Sequence, residues 1–194
     1  MKFIGFYDYT VILTYISLFS GLVGIGMASQ GRLGAAILCL MFSGFCDMFD
    51  GAVARTKKNR TADEKNFGIQ LDSLCDIVCF GVLPAVYLYF SGVNAWYGIV
   101  VLLLYVLAAL IRLAFFNVLE INRQKSEDGC AKGYRGLPVT SSAMIFPFFY
   151  LLGCWFVPCN VMCILHYILP AVVALLFITD FHIPKVDIGK LFRR

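Results

Sequence analysis

The sequence predicts an all-α integral membrane protein of six transmembrane helices with both termini cytoplasmic. Three observations carry that prediction. Of the 194 residues, 60% are hydrophobic and only 14% charged, against roughly 45–50% and about 25% in a soluble domain, so the surplus apolar surface needs lipid as its solvent. The apolar residues fall in six continuous runs, and at about 20 residues per crossing six helices use ~120 residues, close to the hydrophobic fraction itself. Lysine and arginine are also spread unevenly over the links between runs. These features exclude disorder, a secreted disulfide scaffold and a separate large soluble domain, and continuous rather than alternating runs argue against a closed β-barrel. A single membrane domain over residues 1–194 is expected.

The first span is read at Tyr9–Ala28. It is too long for a signal-peptide core and has no convincing cleavage site. Ser17, Gly21 and Gly24 place small residues three and four apart on it, a surface that lets another helix approach closely, either within the chain or in a homodimer. The second span, Leu33–Arg55, carries Asp47 and Asp50, and the third, Gly68–Phe90, carries Asp72 and Asp76. The fourth is Trp96–Val118, with Arg112 and Asn117 near its end; the fifth and sixth are Leu137–Phe156 and Val161–Ile178. Pro84, Pro147 and Pro170 interrupt three of these spans, which a membrane helix tolerates where neighbours satisfy the freed carbonyl. The eight cysteines form no CxxC pair and lie mostly inside apolar runs, where they pack as small apolar residues.

Links after spans one, three and five are short and nearly uncharged, whereas Thr56–Phe67, Leu119–Gly136 and the tail from Thr179 are longer and polar. Lys57, Lys58, Arg60, Lys65, Arg123, Lys125, Lys132, Arg135, Lys185, Lys190, Arg193 and Arg194 follow the longer set, Lys2 shares their side, and Arg32 alone falls opposite. The positive-inside rule then puts both termini and both long loops in the cytoplasm of a cell-membrane protein. The net charge of +4 is a topology signal with some attraction to anionic headgroups, and nothing in it calls for nucleic acid.

Four aspartates inside two apolar spans are expensive. At roughly 2.5–3.5 kcal/mol per central aspartate, four uncompensated ones cost on the order of 10 kcal/mol. Their spacing says what offsets them. Asp47 and Asp50 are i, i+3 and Asp72 and Asp76 are i, i+4, so each pair shares one face of its helix. The helices run antiparallel from one cytoplasmic loop. At about 1.5 Å per residue, Asp47 and Asp76 both lie ~12 Å in from Arg55 and Gly68, and Asp50 and Asp72 about 6–7 Å in. With both faces turned inward the acids form a square of matched levels, and one or two hard divalent cations, Mg²⁺ or Mn²⁺, are the simplest compensation. Protonated, hydrogen-bonded acids or a cation path are the other readings, the latter opposed by the lack of polar residues across the rest of both spans. Gly51, Ala54 and Gly68 offer a wall without bulky side chains, and Arg55 a fixed charge at the rim suited to phosphate. Together these residues describe a phosphoryl-transfer site.

Asp47-x2-Asp50-Gly51-x2-Ala54-Arg55 followed by Gly68-x3-Asp72-x3-Asp76 resembles the signature of the CDP-alcohol phosphatidyltransferase family of six-helix membrane enzymes. The linker between the two halves is longer here than in most members. The resemblance implies a cytoplasm-facing site in which Asp47, Asp50 and Asp72 bind divalent cations. Asp76 lies beside them as general base, Gly51, Ala54 and Gly68 border the cytidine, and Arg55 contacts phosphate. It implies that an acceptor alcohol displaces CMP from a CDP-linked lipid.

Two further segments are similar to the serine-using branch of that family: Arg112 through Phe116-Asn117, and Arg135-Gly136-Leu137-Pro138 with Thr140 and Ser141 after it. Phe115 stands where an arginine is common, and Val139-Thr140 where Ser-Pro is common. The implied partners are CDP-diacylglycerol and L-serine, giving phosphatidylserine. Glycerol 3-phosphate or inositol phosphate is the alternative acceptor, although it would need more clustered cations than Arg112 and Arg135 supply. Serine's carboxylate suits those arginines, and Asn117, Thr140 and Ser141 offer neutral hydrogen bonds. Each has a plainer reading: Arg112 snorkelling from a helix end, Asn117 capping one, and Thr140 and Ser141 bonding back to the backbone.

Overall fold

The computed structural model describes residues 5–6, 9–54, 56–57, 61–125, 134–155, 158–180 and 182–183. Among them the chain is helical. α1 is Ile12–Ser29, entered through a 3₁₀ turn at Tyr9–Val11, and α2 is Leu33–Ala54. α3 is α-helical over Ala62–Asp76, π-helical over Ile77–Val82 and α-helical again over Leu83–Phe90. α4 spans Trp96–Lys125, α5 Ser142–Trp155 behind a 3₁₀ turn at Val139–Ser141, and α6 Cys159–Ile178. Tyr134–Arg135 and His182–Ile183 pair antiparallel, tying the segment before α5 to the segment after α6.

Several boundaries depart from the sequence expectation. α3 begins at Ala62 rather than Gly68, because Thr61 and Glu64 form a reciprocal capping box that starts the helix in the polar linker. α4 continues to Lys125, seven residues past Val118, so the second polar link starts as helix and Asn117 caps nothing. Among the described residues five helices are long and apolar enough to cross a bilayer, and Val139–Trp155 is shorter. Its α-helix and 3₁₀ turn rise roughly 27 Å together, just under the ~30 Å hydrocarbon core. The start is delayed by Gly136 (φ +67°) and the extended Pro138, neither of which is helical.

An apolar core that includes Phe80, Leu88 and Phe146 is buried, but the rest of the burial differs from that of a soluble protein. Phe19, Leu38, Leu103, Ile164 and many other large apolar residues face outward, whereas Thr14, Ser17, Ser20, Ser43, Asp76, Asn117 and Ser142 are buried. The α1 stripe of small residues points into the chain: a Cβ on Gly21 would meet Cys79 Sγ at 2.7 Å, and one on Gly24 would meet Cys39 and Leu83. Intramolecular packing thus occupies the surface that a homodimer was also expected to use. Ser17 Oγ donates to the Ser43 carbonyl (3.3 Å), Ser43 Oγ donates to the Ser17 carbonyl (3.0 Å), and Ser20 Oγ donates to the Cys39 carbonyl (3.0 Å). These bonds set the register of α1 against α2.

Pro84 has no N–H to offer the Phe80 carbonyl four residues earlier. The fully buried Tyr105 hydroxyl from α4 donates to that carbonyl (2.5 Å) and pairs with Ser142 Oγ at 2.9 Å, joining α3, α4 and α5 directly behind the π-helical segment. Gly44 packs against Ala143, which brings α2 and α5 to near backbone contact.

Candidate active site

α2 and α3 follow one another in the chain and present their acids to each other. One carboxylate oxygen from each of Asp47, Asp50 and Asp72 lies within 4.8 Å of the others. Asp50 and Asp72 are within hydrogen-bond reach of each other, as are Asp47 and Asp76. The two pairs are those that equal depth on antiparallel helices implies. Asp76 is buried, at 8% exposure, at the point where α3 turns from α to π geometry, while Asp47, Asp50 and Asp72 are half-buried. Three hard oxygen donors this close fit one divalent cation with ligand distances of about 2.0–2.6 Å. The donor set therefore suits a metal, with carboxylates matched to the charge that burial would otherwise leave unpaired.

Two neighbours add to the four acids. The Gly51 backbone N–H lies beside the Asp50 carboxylate, and Thr14, buried on α1, lies in its neighbourhood. The sequence reading missed Thr14. Its signal was present, because Thr14 continues the Ser17, Gly21 and Gly24 stripe by one turn toward the N-terminus. Ser17, Ser43 and Cys79 lie on the deeper side of the acids, with Cys79 Sγ donating to the Ser17 carbonyl at 3.4 Å.

The remaining expected site residues fall into separate groups. Gly51 is exposed at the end of α2 and Gly68 half-buried in the first turns of α3. Ala54 ends α2, with its side chain outside the described residues, and Arg55 lies outside them altogether. Asn117 is buried against α3, accepting from Ser73 Oγ (2.7 Å) and donating to Gln70 Oε1 (3.4 Å). Ser73 directly follows Asp72, so Asn117 braces the helix that carries two of the acids. Arg112 is well inside α4 rather than at its end, so snorkelling from a terminus does not describe it. Its Nε donates to the Leu137 carbonyl (3.2 Å), and its guanidinium packs beside Gly136. Arg135 sits in the short strand pairing with His182, its side chain outside the described residues. Thr140 is half-buried in the 3₁₀ turn, and Ser141 Oγ bonds back to the Pro138 carbonyl at 2.6 Å.

Residues 9–178 match the family described as CDP-alcohol phosphatidyltransferase. The chain is 36% identical over 143 residues to the archaetidylserine synthase of Methanothermobacter thermautotrophicus, covering 73% of this chain and 57% of that protein. It is 33% identical over 138 residues to the CDP-diacylglycerol–serine O-phosphatidyltransferase of Mycobacterium tuberculosis, covering 68% and 45%. To the protein of the same name from Methanocaldococcus jannaschii it is 30% identical over 192 residues, covering 98% and 79%. The chain thus spans about half the length of the first two relatives and most of the third. No solved structure matches it. An acid cluster built from two antiparallel apolar helices, and a match running from the first helix to the last, make this chain a member of the CDP-alcohol phosphatidyltransferase family.

Proposed function

We propose that the protein transfers a phosphatidyl group from CDP-diacylglycerol to L-serine, giving phosphatidylserine and CMP. The observation that carries this reading is the acid cluster on α2 and α3, in a chain whose relatives bear the names of serine phosphatidyltransferases. Asp47, Asp50 and Asp72 would hold the divalent cations, Mg²⁺ or Mn²⁺ and two per site, whose charge neutralises the diphosphate and the departing CMP. The chain's own residues do the rest. Asp76, buried beside Asp47, accepts the proton of the serine hydroxyl as its oxygen bonds to the lipid-bearing phosphorus. The bond from that phosphorus to CMP breaks, and CMP leaves with the electron pair. Displacement is direct, with no phosphoryl group resting on the enzyme. Gly51, Ala54 and Gly68 border the nucleotide and Arg55 meets phosphate.

Arg112, Asn117, Arg135, Thr140 and Ser141 form the acceptor side in this reading. Arg112 is fixed by the Leu137 carbonyl, so its charge meets the serine carboxylate from one position. The same proposal places the chain as a single domain with six spans in the cell membrane, α5 being the short sixth. Both termini and both polar loops lie in the cytoplasm, toward which the site opens. A homodimer would use a face other than the α1 stripe, which is already occupied.

The test is incubation of purified protein with CDP-diacylglycerol and a panel of L-serine, glycerol 3-phosphate and inositol phosphate, scoring CMP release with and without chelator. Release with serine alone, abolished by chelator, is expected. Release only with a phosphorylated acceptor would move the assignment to that alcohol.

A further inference from the structure

We propose that Gly136 is a positioning residue for the acceptor side: it lets the segment leaving α6 close on the segment entering α5, and so fixes Arg112 toward a carboxylate-bearing acceptor. This deepens, and rests on, the reading of Arg112 as the group that meets the serine carboxylate. Gly136 has a left-handed backbone (φ +67°). A Cβ built on it would stand 2.9 Å from the Thr179 carbonyl oxygen and 3.6 and 3.7 Å from Cζ and Nη1 of Arg112. The carbonyl is closer than a side-chain carbon tolerates, so only glycine admits it. The guanidinium lies at ordinary contact distance from the same point, and its Nε donates to the carbonyl of the next residue, Leu137 (3.2 Å).

The carbonyl that closes on Gly136 is itself anchored. The Thr179 N–H and hydroxyl both donate to the Leu175 carbonyl, at 3.0 and 2.6 Å, which pins that residue to the end of α6. Beyond it, His182–Ile183 pairs with Tyr134–Arg135, so the two segments are also tied on the far side of the contact. An added methyl at 136 is therefore relieved by moving residues 136 and 137, and the carbonyl that holds Arg112 moves with them. The level of Arg112 makes that movement matter. Two bonds set α4 against α3, Tyr105 with Phe80 and Asn117 with Ser73. Arg112 falls between the first member of each pair and Asp76 between the second, so on these antiparallel helices the arginine and the buried acid share a level. An acceptor whose hydroxyl faces Asp76 then has its carboxylate at the level of the arginine.

The experiment measures steady-state CMP release by the full-length purified protein with L-serine or L-serinamide as acceptor. The amide keeps the hydroxyl and the ammonium group and lacks the carboxylate charge. Gly136→Ala is expected to raise the serine KM about 10- to 100-fold, to leave the CDP-lipid KM within about threefold, and to lower the preference for serine over the amide by the factor seen in the serine KM. Gly31→Ala controls for backbone strain, because Gly31 has nearly the same angle (φ +75°) and nothing within 4 Å of the added carbon. It should lower the melting temperature and leave the serine KM unchanged. Gly136→Asn carries the expectation of Gly136→Ala if the latter does not fold, since asparagine tolerates the left-handed region and still adds the Cβ. An unchanged serine KM, or equal rises for serine and CDP-lipid, overturns the role of Gly136, while a selective loss of serine preference in Arg112→Ala leaves the arginine reading standing. If Arg112→Ala keeps the parent's preference for serine over the amide, the arginine reading fails and the role of Gly136 fails with it.

Discussion

Gly44 offers a direct test of whether helix spacing sets the geometry of the acids. It lies three residues before Asp47 on the same helix, and a Cβ placed on it would overlap the Ala143 Cβ of α5. The two carbons would have to part by more than about 1 Å to regain the ~3.5–4.0 Å of ordinary contact. In a close-packed interior that displacement is shared by the backbones of α2 and α5, one turn from Asp47. Overpacking of this kind costs about 1–3 kcal/mol, several degrees in melting temperature for a chain of this size. A misplacement of the order of 1 Å in a reacting constellation costs up to ~100-fold in rate. Gly44→Ala should therefore lower kcat for CMP release about 10- to 100-fold and lower the melting temperature together.

The same geometry specifies its own repair. Once Ala143→Gly removes the opposing methyl, the nearest atoms to the new side chain are Phe80 Cε1 at 3.8 Å and the residue-143 Cα at 3.9 Å, both ordinary contacts. The helix cost of about 1 kcal/mol for glycine at 143 is offset by its removal at 44. The double variant should return to within about threefold of the parent kcat and close to its melting temperature, read by CMP release and a thermal scan on the same preparation. Full turnover by Gly44→Ala alone, or no recovery in the double variant, would refute the argument that this contact spaces the acids.

Asp76→Asn should abolish CMP release while CDP-lipid binding persists, and Asp47→Ala should weaken cation dependence and donor binding together; near-full turnover by Asp76→Asn would remove it as the base. Arg112→Ala should raise the serine KM far more than the CDP-lipid KM. Equal effects on both would make Arg112 a structural residue, in keeping with its bond to the Leu137 carbonyl. Tyr105→Phe leaves the Phe80 carbonyl and Ser142 Oγ without their buried donor and partner. It should cost about 1–3 kcal/mol, visible as a lowered thermal midpoint, and a midpoint equal to the parent's would show that the bond contributes nothing net.

What was legible in advance was whatever local period controls. The pairing of Asp47 with Asp76 and of Asp50 with Asp72 follows from i, i+3 and i, i+4 spacing on two antiparallel helices consecutive in the chain. Neither long-range packing nor the length of the polar linker enters that argument. Polarity alone makes the linker read as a loop, but the Thr61-x-x-Glu64 pattern starts α3 early enough to carry Gly68 inside the helix. Asn117 shows the opposite limit. Its place near the end of an apolar run implied a cap, but α4 continues and the amide turns to Ser73 and Gln70 on another helix.

Composition and spacing by themselves determined that lipid is the solvent, that the chain is helical, and that four acids share one site, because each depends only on residue type and helical repeat. Tertiary structure alone decided which helices lend donors to that site and how the acids are held. Ser17 and Ser43 exchange bonds across 26 residues of sequence, and Tyr105 reaches Phe80 across 25. Such contacts depend on the rotation and crossing of whole helices. Close approach at Gly21, Gly24 and Gly44 sets those quantities, and the repeat of any single helix leaves them open.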